Sequence, residues 1–389
     1  MCEIHAAYLA AANPLLGLGK SSDIATWIIA IGFIVSTIFY ILAMMGYMQK
    51  LQMSLWKRNI EAKLAILETY ARRSQERTKR YLKSMNASNP DEIVELACNY
   101  FVIDPVSIEP IDIIRRMERI LRTAEGRMEE LVERAAAKAG EAEKKIAVTL
   151  LSITNALTLL YKYVRHLLLW SIKTENPILL AQLMWQLPYI LRIARTYYEA
   201  SKDIEDGKPI GDSAGPYAAY LLINKLTKRL QPPTEIAKDT VYSVQEYKGR
   251  KILVVKAKGP GSNVGRPGEA VEKLANIYGR ELAAIITIDA MLKFEGEETG
   301  LTAEGAGAAI GDPGPEKIRI ERAAAKLGIP LHAIGIKMGL EEAIKTAKRE
   351  VLDGAMEAAK KALRFIETMI PEGSTVIIVG VGNSIGVAQ

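Results

Sequence analysis

The sequence predicts three parts in order: one N-terminal transmembrane helix, an all-α helical domain, and a C-terminal α/β domain with a mostly parallel sheet. Three observations carry this prediction. Residues 24–49 lack charged side chains, the following residues up to about 230 have helical periodicity, and residues 240–381 alternate strand-like with helix-like runs. The predicted boundaries are 1–23 for an extracytoplasmic N-terminus, 24–48 for the transmembrane helix, 49–88 for a basic helical stalk, 89–236 for a helical bundle domain, and 237–389 for the α/β domain.

The uncharged run is long enough to cross a bilayer. A helix rises about 1.5 Å per residue and the hydrocarbon core is about 30 Å thick, so about 20 apolar residues span it. The preceding residues carry Lys20 as their single Lys or Arg, which is not typical of a cleavable signal peptide. A buried core helix is the alternative, and it is disfavoured because a soluble helix rarely lacks a polar face over this length.

The charges beside the run predict its orientation. Residues 50–83 hold ten Lys and Arg and three Glu, and short segments rich in Lys and Arg stay in the cytoplasm. We therefore expect a single-pass protein of the cell membrane, with its N-terminus outside and its C-terminal domains cytoplasmic. The basic stalk predicts contact with the lipid bilayer and anionic lipid headgroups, and its few interleaved aromatic rings disfavour nucleic acid. A homo-oligomer is left open.

Cysteine and histidine usage argues against a structural zinc site. Cys2 and Cys98 fall on opposite sides of the predicted membrane, and the three histidines are scattered without a Cys/His cluster. Zinc sites need such ligands at close, characteristic spacings.

Helix starts and apolar runs predict the helical domain. Asn89 followed by Pro90 and two acids is typical of a helix start, and a long helix is expected from about residue 111 to 139. Residues 146–161 and 176–191 are uncharged runs of sixteen residues each, which is short for a span. We interpret them as buried bundle helices, with a re-entrant or interfacial hairpin as the alternative. Pro188 should kink or end the second helix.

The C-terminal part reads as a sheet covered by helices. Strand-like runs occupy 240–246, 251–257, 283–289, 331–337 and 375–381, and helical runs at 268–280, 315–327 and 340–370 separate most of them. Such alternation predicts a mostly parallel sheet. Lys248-Gly249 between the first two runs predicts a hairpin there. Because ligands of open parallel sheets bind beyond the carboxyl ends of the strands, the loops at that edge form the candidate site.

Four glycine-rich or acidic loops follow these strands. Glycine-rich backbone and helix N-termini receive anions, and carboxylates at strand ends suit Mg²⁺. The candidate ligand-binding residues are Lys256, Lys258, Gly259, Gly261, Ser262, Asn263, Gly265, Arg266, Lys293, Gly311, Gly314, Lys317, Gly380, Gly382 and Asn383. The candidate metal ligands are Asp289 and Asp312. The alternatives are tight turns that need glycine and, around 295–298, an exposed acidic turn.

One short pattern occurs twice. Ile310-Gly311-Asp312, followed by a Gly-Pro pair, echoes Ile210-Gly211-Asp212, which is also followed by Gly-Pro. The repetition is either chance or a sign of two similar turns that face a common site.

The apolar run and five motifs together resemble a known family. The motifs are GKPIGDSAGP, KGPGSNVGRPGEAVEKL, DAMLKFEGEETG, AIGDPGPEKIRIE and VGVGNSIGVAQ. They resemble an archaeal single-pass membrane protein family known only as a domain of unknown function, and the resemblance covers nearly the whole chain. It supports the membrane topology and implies no activity.

Two functions fit these observations. The first is a membrane-anchored cytoplasmic protein whose α/β domain binds an anionic or phosphorylated small ligand, with Mg²⁺. A metal could activate water or hold a phosphoryl group, but no nucleophile–base pair is evident, so catalysis is left open and no catalytic residue is named. The second is a membrane-tethered scaffold or sensor without catalysis. A third is a component of a transport assembly, if residues 146–191 enter the membrane.

Overall fold

The computed structural model describes residues 24–44, 47–106, 111–311 and 314–389. The chain divides into two compact units. Among the described residues, those up to Glu61 form one unit together with Leu167–Trp185, and the others form the second unit.

The first unit contains helix α1, Ile24–Met44, and the start of helix α2, Tyr47–Ser84. The large apolar side chains of α1 from Trp27 to Ile41 are half exposed or more. A helix that is apolar on every side has no face suited to water.

One helix of the described chain suits a membrane span by length and composition, and it lies in mid-chain. It is helix α5, Glu141–Lys173, and 44% of its most apolar window is buried within the protein. Buried helices of soluble proteins have the same properties. Helices α1 and α2 are long and apolar enough for a membrane span only if they are taken together as one bent span. The sequence had instead predicted the span at 24–48 and assigned residues 146–161 to a buried helix.

The helical part of the second unit has a mixed apolar and hydroxyl core. Besides parts of α2 and α5 it contains α3 (Pro90–Asn99), α4 (Ile113–Ala135) and part of α6 (Pro177–Glu205). Leu82, Val132 and Leu151 lie in one buried cluster. Thr154 of α5 is 2.8 Å from the hydroxyls of both Ser74 and Thr78 of α2, which satisfies these buried polar groups.

The observed helices are longer or shorter than predicted at identifiable points. The two uncharged runs are the middles of α5 and α6, whose charged ends extend the helices beyond them. Helix α6 continues through Pro188 to Glu205, so this proline does not end the helix. Helix α4 occupies 113–135 rather than 111–139.

The α/β region contains eight strands in one sheet. They are β1 (Lys228–Arg229), β2 (Thr234–Ala237), β3 (Thr240–Tyr247), β4 (Arg250–Ala257), β5 (Leu282–Leu292), β6 (Thr302–Ala306), β7 (Leu331–Met338) and β8 (Thr375–Gly380). The order is β1-β3-β4-β8-β5-β7-β6, with β2 also paired to β3. Neighbours among β4, β8, β5 and β7 are parallel, and the outer pairings are antiparallel.

The sheet is therefore mixed, and the prediction of a mostly parallel sheet is wrong outside its centre. All five predicted strands exist, and β3 and β4 form the predicted hairpin. The unpredicted strands β1, β2 and β6 are short and pair antiparallel at the edges. They lack the apolar alternation that identifies a half-buried strand.

Helices cover both faces of the sheet. Helices α7 (Ala214–Leu221) and α11 (Arg349–Met369) cover the face that carries Ile252 and Ile286. Helices α8 (Pro267–Tyr278) and α9 (Pro315–Leu327) cover the face that carries Leu253 and Ile285. The predicted helix at 340–370 is split into the short α10 (Leu340–Ile344) and α11. Helix α7 is followed by a short π-helix at Leu222–Leu226.

The last strand of the chain lies at the centre of the sheet. Strand β8 lies between β4 and β5. After β4 the chain therefore skips one position in the sheet to form β5, and its last strand later fills that position. Such a reversal in strand order opens a crevice at the carboxyl ends of the neighbouring strands.

Candidate functional site

A cavity of about 370 Å³ lies at the carboxyl ends of the parallel strands. Its walls come from the ends of β5 and β8, the turn before α8, the turn that begins α9, and one side of α4. Strand β5 contributes Asp289 and Ala290, and the end of β8 contributes Val381 and Gly382. The turns before α8 and α9 contribute residues 264–267, Gly311 and residues 314–316. Helix α4 contributes Glu118, Leu121 and Glu125, and Asp212 also lines the cavity. We call it the acidic cavity.

Asp289 is held by backbone groups at the end of β5. The residue is 5% exposed, and its two carboxylate oxygens accept hydrogen bonds from the N–H groups of Ala290 (2.7 Å) and Gly311 (3.0 Å). Thr287, two residues earlier on the same side of the strand, accepts a bond from the N–H of Ala309 (2.7 Å). Side chains two residues apart lie on the same face of a strand. Thr287 and Asp289 therefore both bind the segment before α9, and Asp289 also lines the cavity.

Asp212 approaches the same cavity from a different part of the chain. It lies in the short 3₁₀ turn Gly211–Ser213 that leads into α7, and its carboxylate accepts a bond from the N–H of Asn383 (2.9 Å). A Cβ on Gly382 would overlap the carbonyl oxygen of Asp212, and Gly382 has φ +128°. The close packing of these two turns therefore requires glycine at this position.

The surroundings of both carboxyl groups raise their pKa values. Burial, and then the charge of Asp212, raise the pKa of Asp289 well above its usual range. Burial also raises the pKa of Asp212. Within the described residues, neither side chain has a Lys or Arg at ion-pair distance. Two acids that face one cavity without a countercharge favour a proton or a bound cation between them.

The other charged residues of the acidic cavity are already engaged. Arg266 pairs with Glu125 (2.5 Å) and Glu118 pairs with Arg319 (2.9 Å). Glu316 accepts bonds from the N–H groups of Gly268 (2.7 Å) and Glu269, which caps the start of α8. Burial raises the pKa of Glu316, and its second oxygen is buried without a hydrogen-bond partner in the described structure. The wall of the acidic cavity therefore holds more carboxyl groups than cationic side chains.

A second cavity of about 560 Å³ shares the wall formed by Glu125 and residues 264–266. Helices α4 and α5 and the segment after α3 supply its apolar side, and the turn between β4 and α8 supplies its polar side. We call it the amphipathic cavity. Thr149 donates to Ser262 (2.9 Å), and the side chain of Asn383 donates to the same Ser262 hydroxyl (3.1 Å). Asn383 thus connects the polar side of this cavity with Asp212.

The structure brings many of the predicted site residues together. Gly265, Arg266, Asp289, Gly311, Gly314 and Gly382 line the acidic cavity. Ser262, Asn263, Gly265, Arg266 and Asn383 line the amphipathic cavity. The second predicted metal ligand, Asp312, lies outside the described residues.

The predicted lysines line neither cavity. Lys258 pairs with Glu235 (2.8 Å), and Lys293 donates to Thr299 (3.0 Å). Lys256 is fully buried, donates to the carbonyl of Ala257 (3.2 Å), and burial lowers its pKa to about 8. Lys317 also lies outside both walls.

Three predicted glycines serve close packing rather than a cavity. A Cβ on Gly259 would overlap the carbonyl oxygen of Val387, and a Cβ on Gly380 would overlap that of Gly215. A Cβ on Gly261 would press on Ala142 and Lys145 of α5. For these positions the alternative reading, a tight turn that needs glycine, describes the structure.

Sequence reasoning missed Asp212 as a site residue, although a signal for it was present. One copy of the repeated Ile-Gly-Asp pattern contains Asp212 and the other contains Gly311, and both of these residues line the acidic cavity. The pattern therefore marks two segments that face one cavity.

Two family models match the chain. The model described as "Protein of unknown function (DUF1512) N-terminal domain" matches residues 34–207, and that described as "Domain of unknown function (DUF1512) C-terminal" matches residues 210–388. No curated protein and no solved structure matches.

Proposed function

Because the chain belongs to the DUF1512 family, whose description assigns no activity, we propose a function from the geometry of the acidic cavity. We propose that this protein is a membrane-anchored binding protein whose α/β domain holds Mg²⁺ together with a phosphorylated small molecule. The observation that carries the proposal is the pair Asp212 and Asp289, which face one cavity without a countercharge.

The donor set fits a metal that arrives with its ligand. Among the described residues, no group of three or more His, Cys, Asp or Glu side chains is arranged to hold a metal alone. Mg²⁺ is commonly bound by one or two carboxylates, several waters and the phosphate of a ligand. Asp212 and Asp289 would hold the ion and lose their protons, and its charge would then attract a phosphate into a cavity that otherwise repels one.

Backbone groups support the phosphate in this proposal. The start of α9, at residues 314–316, lines the acidic cavity, and the first N–H groups of a helix have no helical partner. The start of α8 is not available in the same way, because the carboxylate of Glu316 already accepts its N–H groups.

The two acids, Asp212 and Asp289, also favour a second candidate, acid–base catalysis on the bound molecule. Two carboxyl groups whose environments separate their pKa values can serve as proton donor and acceptor. Formation of product from the bound phosphate compound distinguishes this candidate from binding alone.

The membrane anchor is the other half of the proposal. The exposed apolar side chains of α1 and the ten basic residues at 50–83 support one span, with the N-terminus outside and the later domains in the cytoplasm. The same basic residues would contact anionic lipid headgroups. The archaeal origin implied by the sequence resemblance stays a prediction.

Thermal unfolding of the full chain in detergent tests the binding site. We expect MgCl₂ with methyl phosphate to raise the Tm of the parent protein, since a ligand that binds only the folded state stabilises it. Asp212→Asn and Asp289→Asn should each abolish the rise. Asp353→Asn, which changes an exposed carboxylate of α11, is the matched control. A rise that survives both cavity substitutions would contradict the proposal.

A further inference from the structure

The amphipathic cavity is built for a part of a ligand that carries no charge. Its charged residues are paired with one another: Lys145 with Glu129 (2.8 Å) and Asp239 (2.6 Å), and Lys238 with Glu129 (2.5 Å). These ion pairs leave no free charge at this wall for an anionic group. The phosphate therefore belongs in the acidic cavity, and the neighbouring space suits another portion of the molecule.

The side of this cavity formed by α4, α5 and the segment after α3 is aliphatic. Val102, Met128, Val148, Ala156 and Leu159 line it, and Val102 and Leu159 are 47% and 63% exposed. Aliphatic side chains left in water at a cavity gain stability when a ligand covers them. Nucleobase sites use aromatic rings for stacking, whereas Tyr100 is the one aromatic residue among those that line this cavity in the described structure.

The two cavities are neighbours joined by shared residues. Glu125 and residues 264–266 line both. Asn383 holds Ser262 of the amphipathic cavity through its side chain (3.1 Å) and Asp212 of the acidic cavity through its N–H (2.9 Å). A single molecule that extends past Arg266 would contact both sets of residues.

We infer that the ligand is an amphiphilic phosphate monoester, whose phosphate lies with Mg²⁺ at Asp212 and Asp289 and whose aliphatic chain lies in the amphipathic cavity. This inference rests on the proposed function, because it assigns the phosphate to the acidic cavity. It adds that the affinity comes largely from the aliphatic chain of the ligand. It also predicts that the ligand is an alkyl phosphate rather than a nucleotide.

Calorimetric titration of the full chain with methyl, propyl and pentyl phosphate, in MgCl₂ and detergent, tests the inference. Affinity should rise with chain length, by up to about fourfold for each methylene that becomes buried. Ala156→Trp fills the cavity, so it should keep the affinity for methyl phosphate and remove the gain from propyl and pentyl phosphate. Ala325→Trp, at an exposed position of α9, is the matched control and should keep the gain.

A milder variant guards against a folding defect of Ala156→Trp. Leu159→Ser alters a largely exposed side chain and should reduce the ratio of pentyl to methyl phosphate affinity severalfold. Equal affinity of the parent protein for all three phosphates would overturn the inference while the proposed function stands. The same holds if both cavity variants keep the full gain. Absence of binding even by methyl phosphate would instead overturn the proposed function, and the inference with it.

Discussion

Asp289 occupies a position where its charge lowers the stability of the folded protein. It is nearly buried, it has the Asp212 carboxylate near it, and no cation of the described chain compensates either group. Burial of an uncompensated carboxylate is unfavourable. An arrangement that costs stability at the end of a rigid strand is expected where the site binds a ligand.

We predict that Asp289→Asn stabilises the protein at neutral pH in the absence of Mg²⁺. In the unfolded chain Asp289 loses its proton near its ordinary pKa of about 3.9, but in the folded protein its pKa is raised. Between these two values only the folded state holds the proton, so stability falls as pH rises through this window. Asparagine does not ionise and avoids this loss.

Thermal unfolding at two pH values measures the effect. The Tm of Asp289→Asn should exceed that of the parent by several degrees at neutral pH and by little at about pH 4, where the unfolded parent chain still carries about half of the proton at this position. Asp353→Asn on the surface of α11 should change neither value appreciably, because exposed ion pairs contribute little. A neutral-pH Tm that stays at or below the parent value would show that the Asp289 charge is compensated.

The two acids differ in how far the sequence predicted them. Asp289 was found because it ends an apolar strand, and strand ends lie at the ligand edge of such sheets. Asp212 lies far away in sequence, in a turn whose position depends on the insertion of β8 between β4 and β5. Strand order is decided by contacts between distant segments, and no local pattern encodes it.

At the scale of elements, α4 is attached to the α/β region in an unusual way. Its buried side chains, Met128 and Val132, belong to its second half. Its first half, which lines the acidic cavity, is joined to α9, α8 and the turn before α8 by three ion pairs, Glu118–Arg319, Arg122–Glu269 and Glu125–Arg266. Salt screens such partly exposed pairs, whereas it affects apolar packing much less.

We therefore predict that added salt loosens the first half of α4 selectively. Amide hydrogen exchange at residues 113–126 should speed up as NaCl is raised to about 1 M, where the Debye length falls to about 3 Å. Helix α11, which buries eight side chains or glycines against the sheet, should keep its protection. Arg319→Met should mimic the effect of salt at low ionic strength, and Arg349→Met, which removes an exposed pair, should not. Uniform exchange rates across the salt series would show that ion pairs do not hold α4.

The strands illustrate why element type was predicted better than sheet architecture. Strand β5 is an apolar run buried between two helical layers, and such runs are visible in any sequence. Strand β6 consists of Thr, Ala, Glu, Gly and Ala and is largely exposed. It exists because its backbone pairs with β7. A strand stabilised mainly by its neighbour has little signal of its own, so the antiparallel edges were missed.

At the scale of the whole molecule, two long apolar helices are candidates for the proposed membrane anchor. Helix α1 leaves its large apolar side chains exposed, whereas α5 buries Leu150, Leu157 and Val164 within the protein. Lys144 and Lys145, at the start of α5, also form ion pairs with Glu133 and Glu129 of α4. Exposed apolar surface on every side indicates a lipid environment, and one buried face indicates a protein core.

We predict that α1 alone anchors the protein. Replacing Ile31, Ile34 and Ile38 together by Lys should release the chain from membranes during alkaline carbonate extraction, since each Lys near the bilayer centre costs about 3 kcal/mol. Leu159→Lys, which places one charge on the exposed side of α5, should leave the protein in the membrane fraction. If α5 were the anchor, the outcome would be reversed: the triple variant would stay with the membrane and Leu159→Lys would weaken its retention. Because both variants change only exposed apolar side chains, circular dichroism of the extracted proteins can verify that helix content is preserved.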